Sequence, residues 1–172
     1  MKIVESTTEA SPRVLTFAFV EGRFGRLLVA ADEVGVCFAG YRFDSSNDPI
    51  EDLQRRFPKA ELREDVHLFF RGLDLKEAQF HLIGTPFQLQ VWRALREIRA
   101  GERISYAELA ARIGRPSAVR AVASAVARNP IAYYVPCHRV VHSDGTIGQY
   151  HWGTARKQRM LDVERAEAIS SR

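Results

Sequence analysis

The stretch ISYAELAARIGRPSAVRAVASAVARNP, residues 104–130, decides the architecture of the second half of the chain. Ser105 with Glu108 three positions on makes a capping box, in which hydroxyl and carboxylate serve the free N–H groups of a helix start. Tyr106, Leu109, Ala110 and Ile113 then share one face at helical spacing. Gly114 closes the helix, because glycine takes the left-handed C-terminal conformation without a Cβ penalty. Pro116 and Ser117 open a further helix that runs to about Ala127. Helix, short glycine-containing turn, helix is the pattern of a helix-turn-helix, whose second helix enters a groove of DNA. AVRAVASAV, residues 118–126, is nearly all small, with Arg120 as its only charge. Such a slim helix can lie close to a duplex. A tightly packed core helix with Arg120 carrying its charge outward would have the same sequence.

Upstream, Phe87, Val91, Leu95 and Ile98 give a helix over Thr85–Arg99, which AGE at 100–102 breaks. Residues 13–43 read as β structure: RVLTFAFV, a turn at EGRFG, then RLLVAADEVGVCFAGYRF as two more apolar stretches interrupted by Asp32, Glu33 and Gly35. DSSNDP at 44–49 is a loop by composition. PIEDLQRRF is a short helix with Pro49 near its start and Ile50, Leu53 and Phe57 on one side. Another short helix is expected over about 65–71, and residues 72–85 as a connector. The division is therefore an N-terminal α/β domain over 1–80 and a mostly helical domain over 81–172.

The 172 residues suit one or two small domains, and 46% apolar with 27% charged residues is an ordinary globular profile. No run of about 18 apolar residues offers a membrane span. MKIVESTTEA lacks the apolar core of a secretory signal, so a cytoplasmic location is expected, nucleoid-associated when bound to DNA. Cys37 and Cys137 are too few for a disulfide scaffold, and Cys37 reads as core. None of the five histidines pairs with a cysteine at zinc-finger spacing, so no metal is expected. Residues 1–86 hold 11 Lys+Arg against 14 Asp+Glu, a net of −3, whereas residues 87–172 hold 14 against 7, a net of +7. Thirteen of those fourteen cations are arginine. A basic C-terminal half suits a polyanionic partner, although solvated surface charge gives the same count.

The chemistry centres on NPIAYYVPCHRVV, residues 129–141. An apolar, β-prone stretch leads to Pro136, which fixes φ directly before Cys137. His138 and Arg139 follow at once, and both favour thiolate over thiol. A thiolate is the nucleophile that alkyl transfer requires. An inert cysteine inside a core strand is the competing reading. Neighbours on an extended chain point to opposite sides, so direct contact between sulfur and imidazole is awkward, and a water between them is the easier relay.

PCHRV resembles the active-site signature of the O6-alkylguanine-DNA alkyltransferases, or methylated-DNA–protein-cysteine methyltransferases. The likeness runs from GTPFQLQVWRAL at 84–95 through ISYAELAARIG at 104–114, AVRAVASAVARNP at 118–130 and VPCHRVVHSDG at 135–145 into YHWGTARKQRMLDVE at 150–164. The last block is most similar to bacterial adaptive-response proteins. The resemblance implies an α+β architecture: a small ribonuclease-H-like N-terminal domain, then a winged helix-turn-helix-like domain. It implies Cys137 as alkyl acceptor, His138 as its water-linked base, Glu164 as the carboxylate orienting that imidazole, and Asn129 as a brace of the turn before the active-site strand. Tyr106 would crowd the flipped nucleotide's 3′ phosphate and hydrogen-bond the guanine. Arg120 would fill the space the base leaves, with Ser117, Ala121 and Ser143 also at the DNA. Val135, Pro136, Val140, Tyr150, His151 and Trp152 would wall the base pocket.

The implied reaction is irreversible transfer of a methyl or other alkyl group from O6-methylguanine, and more weakly O4-methylthymine, in double-stranded DNA to Cys137. The implied route is helix-turn-helix binding in the minor groove and base flipping, one turnover per molecule, by a monomer without cofactor. The O6 atom lies within the base stack, so flipping is required and costs a few kcal/mol. His151, where relatives often carry smaller residues or arginine, narrows the expected pocket toward small alkyl groups. No sensor domain precedes residue 1, which argues against a self-methylating transcription activator. Two alternatives stand beside this reading: a non-enzymatic sensor of alkyl lesions, disfavoured by the presence of Cys137, and a helix-turn-helix regulator with a merely structural cysteine.

Overall fold

The computed structural model describes residues 2–42, 48–64, 75 and 77–170 and divides the chain into two compact units, Met1–Thr85 and Pro86–Arg172. In the first, β2 (Val14–Gly22), β3 (Gly25–Ala31) and β4 (Val36–Tyr41) form an antiparallel meander. Its bulk comes from the apolar stretches at 13–43, which pack Leu15, Phe17, Leu28, Ala30 and Phe38 against Leu53 and Phe57 around α1 (Pro49–Arg56). Asp48 caps that helix by accepting from the Ile50 N–H at 2.9 Å. Cys37 lies in the same core, 1% exposed, and burial pushes its thiol far up.

β1 (Lys2–Ser6) pairs in parallel with β6 (Gln79–Ile83), and β5 (Glu61–Glu64) pairs in parallel with β2 at the other edge. The mixed sheet thus has the order β1-β6-β4-β3-β2-β5. Residues 79–83, expected as connector, are therefore a strand, and the division between units falls at 85/86 rather than 80/81. The reason is that β6 gains its ladders only from partners distant in sequence, β1 more than seventy residues away and β4 at Val36↔Phe80, which local periodicity cannot register. The helix expected over 65–71 and residues 44–47 of the loop expected at 44–49 lie outside the described residues; of that loop's last two residues, Asp48 is the cap of α1 and Pro49 its first residue.

The second unit holds α2 (Pro86–Arg96), β7 (Ile104–Ser105), α3 (Tyr106–Arg112), α4 (Val119–Ala127), β8 (Val140–Val141) and α5 (Thr154–Ser170). α2 buries Leu89, Val91, Trp92 and Leu95, and the Trp92 indole N–H donates to the Ala125 carbonyl at 2.9 Å, which ties α2 to α4. The capping box is present: the Glu108 N–H donates to Ser105 Oγ at 3.1 Å and the Ser105 N–H to Glu108 Oε2 at 2.6 Å. Gly114 takes φ +71°, and the Arg115 N–H closes the helix end on the Ala110 carbonyl. Pro116 and Ser117 lie in the turn, so α4 starts at Val119 with no side-chain cap, three residues later than its proline suggested. α4 has two faces: Val122, Ala125 and Val126 are buried, Arg120 and Ala121 exposed.

Candidate active site

The segment before Cys137 is a set of turns rather than a strand. Asn129, fully buried after α4, bends it: Oδ1 accepts from the Ile131 N–H at 3.0 Å, and Nδ2 reaches the Ile131 carbonyl at 3.1 Å and the Val135 carbonyl at 2.8 Å. Tyr133 completes the turn in the left-handed region, φ 67°, uncommon for an aromatic residue. The chain is thereby too curved to extend, and Cys137–Arg139 forms a single 3-10 turn that leads into β8. β8 pairs with β7 over two residues only, Ile104↔Val140 and Ser105↔Val141.

The same Asn129 amide is 3.1 Å from Cys137 Sγ. An NH2 group has two hydrogens for these three acceptors, so the sulfur shares one in the resting state and gains most when it carries charge. Sγ also lies 3.8 Å from the Tyr150 hydroxyl oxygen, to which the thiol can donate. Burial pushes the Cys137 thiol up, while the hydrogen bonds that the Asn129 N–H and, in the ionised state, the Tyr150 O–H donate to sulfur, and the charge of Lys157, pull it down; the net direction is upward. The resting group is therefore a thiol, in contrast to the thiolate that its sequence neighbours suggested.

His138 is completely buried. Burial lowers its basicity, Glu164 opposing, so the imidazole is neutral at neutral pH. Nε2 lies 3.0 Å from Glu164 Oε1. A carboxylate only accepts, so Nε2 carries the proton and Nδ1 holds the free lone pair. Nδ1 has no hydrogen-bond partner, the arrangement a general base needs. Arg139 binds the same carboxylate in bidentate fashion, Nη2 to Oε1 at 2.7 Å and Nε to Oε2 at 3.0 Å. Burial alone would raise the Glu164 carboxyl, but the hydrogen bonds from His138 and Arg139 hold it at about 2.

Cys137 opens onto a cavity of about 30 Å³ shared with Tyr106, Gln149, Tyr150, His151, Trp152 and Lys157. That is the share of one water molecule in the liquid, far less than a nucleobase fills. Burial and the nearby Cys137 raise the Tyr106 phenol, so it stays a proton donor at neutral pH. Lys157 is 1% exposed and donates to the Val140 carbonyl at 2.6 Å. Burial lowers it to about 8, Cys137 opposing, so it is largely charged at pH 7.

The structure thus brings Asn129 to Cys137 and Glu164 to His138, and places Tyr106, Tyr150, His151 and Trp152 with Cys137 on the cavity wall. Val135, Pro136 and Val140 are buried but do not line that cavity; their backbones serve Asn129, the 3-10 turn and Lys157 instead. Arg120, Ala121, Ser117 and Ser143 are exposed on α4 and in turns. Sequence reasoning missed three contributors. Lys157 carried a usable signal, as the lone lysine among fourteen C-terminal cations. Arg139 is a charge near sulfur in the sequence, whereas in the fold it clamps Glu164. Tyr133, stacked on the His138 ring at 5.9 Å between centroids and 11° between planes, left no mark in the pattern.

Residues 86–166 match the model of the 6-O-methylguanine DNA methyltransferase DNA-binding domain. The chain is 42% identical over 159 residues to the bifunctional transcriptional activator/DNA repair enzyme Ada of Escherichia coli, the match covering 86% of this chain and 45% of that protein. It thus spans less than half the length of Ada. The inducible methylated-DNA–protein-cysteine methyltransferase of Bacillus subtilis is 38% identical over 152 residues, 80% of this chain and 83% of the relative. Among solved structures, Mycobacterium tuberculosis OGT in complex with DNA superposes with a TM-score of 0.71 at 30% identity, covering 89% of this chain and 93% of that one. Matched along most of its own length and most of the Bacillus relative's, the chain belongs to the methylated-DNA–protein-cysteine methyltransferase family.

Proposed function

We propose that this protein repairs alkylated double-stranded DNA by moving the alkyl group of O6-methylguanine, and more weakly of O4-methylthymine, onto Cys137. One observation carries the reading: a sulfur held 3.1 Å from the Asn129 amide is followed at once in the chain by a buried neutral imidazole whose Nε2 is pinned to Glu164 and whose Nδ1 has no hydrogen-bond partner and can accept a proton. Through one water, Nδ1 takes the thiol proton, and the Asn129 N–H and the Lys157 charge stabilise the thiolate that forms. Sulfur then attacks the O-alkyl carbon, the carbon–oxygen bond breaks, and the Tyr106 hydroxyl assists departure of the guanine. The product is a thioether with no neighbouring group able to cleave it, so each molecule acts once and needs no cofactor.

The 30 Å³ cavity cannot take a base as it stands. Entry requires the segment 149–152 to move outward, and its bordering glycines, Gly148 at φ +61° and Gly153 at φ +97°, are suited to act as hinges. Exposed Arg120 on α4 would occupy the stack after the base has flipped, with α3 and α4 as a helix-turn-helix in the minor groove and β7–β8 as a minimal wing. We read the first unit as ribonuclease-H-like and the protein as a monomer. A non-enzymatic lesion sensor would need no activated sulfur.

The test is intact-mass measurement after mixing with an O6-methylguanine duplex. One methyl group is expected on the peptide that contains Cys137, and Cys137→Ser should bind DNA without accepting it. Transfer that persists in Cys137→Ser removes the assignment.

A further inference from the structure

The first unit holds a second array of catalytic type. His81 lies on β6, Ser6 ends the neighbouring β1, and Asp32 follows β3. Asp32 Oδ2 is 2.7 Å from His81 Nδ1, and Ser6 Oγ is 2.8 Å from His81 Nε2. The imidazole and carboxylate side chains are only 4% and 6% exposed. Because a carboxylate accepts only, the proton of neutral His81 sits on Nδ1. Nε2 is then an acceptor, and the Ser6 hydroxyl must be the donor to it. Asp32 is itself fixed, its Oδ1 accepting the Val34 and Gly35 N–H groups at 2.9 Å each. Nucleophile, base and orienting acid therefore stand in the sequence of contacts that activates a serine.

All three residues border a cavity of about 910 Å³, within the range of small-molecule sites. Pro12, Val14 and Val34 give it apolar walls, and Arg13 is the one cation among its lining residues. We propose that Ser6 is a second nucleophile of this protein, which takes the acyl group of small carboxylic esters in that cavity. Ser6 Oγ attacks the ester carbonyl carbon and passes its proton to His81 Nε2. The carbon–alkoxide bond breaks, and the alkoxide leaves with that proton as an alcohol. Water, deprotonated in turn by His81, attacks the acyl-serine and releases the carboxylic acid, restoring the Ser6 hydroxyl.

The experiment uses the full chain with Cys137→Ala, so that the reactive thiol is silent. It is treated separately with p-nitrophenyl acetate and with an alkyl fluorophosphonate, and the adducts are mapped by peptide mass. The acetyl and phosphonyl groups are expected on Ser6 and absent in Ser6→Ala. His81→Gln should slow labelling on the order of 100-fold, the usual weight of a general base. Asp32→Asn, which keeps the side-chain shape, should slow it in the same direction and serves if His81→Gln does not fold. No adduct on Ser6, or equal labelling in folded His81→Gln or Asp32→Asn, overturns the proposal and leaves the array as a polar pin between strands.

Discussion

Lys157 shows how much one buried side chain decides. A lysine almost never goes fully inside unless its charge is used, yet this one is 1% exposed, bonded to the Val140 carbonyl and in the cavity with Cys137. Its proton is held down at about 8 by burial, so the cation persists through neutral pH and disappears above it. Two outcomes follow from that sign. The single-turnover transfer rate should fall as pH rises through about 8, because the thiolate loses the Lys157 charge that favours it. Lys157→Met, which keeps the bulk, should slow transfer about tenfold at pH 7, the weight of one unit of thiol pKa, and should abolish the alkaline inflection. A pH–rate profile that keeps the inflection in the variant would separate Lys157 from the reaction. The signature PCHRV was legible because its residue types are chemically pointed and adjacent. Lys157 was hidden because its role arises only when α5 folds. The buried face of that helix is Lys157, Met160, Leu161 and Glu164, two of its four positions ionic, and an apolar-period search passes over such a face.

The elements repeat that lesson on a larger scale. α3 was readable nearly to the residue, since its capping box and terminal glycine act within the helix itself. The turns before Cys137 look like a strand in the sequence, because an apolar, β-prone stretch says nothing of the Asn129 side chain that gathers two carbonyls and an N–H. Asn129→Ala should accordingly cost about 2–4 kcal/mol, from buried backbone groups left without partners, as chemical denaturation would show. The segment 149–152 offers a contrast of two glycines. At Gly153 a Cβ would meet nothing closer than 3.8 Å, so Gly153→Ala is charged only for its left-handed backbone, about 1–2 kcal/mol. At Gly148 a Cβ would stand 2.3 Å from His142 Nε2 in addition. Gly148→Ala should therefore be the more destabilising and should slow transfer more, because the His142 ring, which packs on Tyr106 at 5.5 Å, must move. Equal midpoints for the two variants would place the His142 ring outside the hinge.

At the scale of the molecule, the sequence's charge asymmetry coincides with the division into units, and Glu164, the carboxyl held furthest below its ordinary range among the described residues, lies in the second. Glu164 is held at about 2 in the folded protein against 4.5 in an unfolded chain. A carboxyl with a depressed folded pKa contributes stability above its unfolded value and loses it as pH falls toward its folded one. The contribution here is on the order of 3 kcal/mol at neutral pH, lost between about 4.5 and about 2. It belongs to the second unit, whose carboxylate anchors His138, Arg139 and through them the 3-10 turn and α5. Both tryptophans of the chain, Trp92 and Trp152, are buried in that same unit, so their emission reports on it selectively. On acidification the tryptophan signal should change at higher pH than the far-ultraviolet signal of the sheet in the first unit. Glu164→Gln should lower the neutral-pH stability of the second unit and flatten its acid dependence, since the amide cannot titrate and cannot pair with Arg139 as an ion. Coincident acid transitions for the two signals, unchanged by Glu164→Gln, would show that the charge of this carboxylate does not govern the unit's stability.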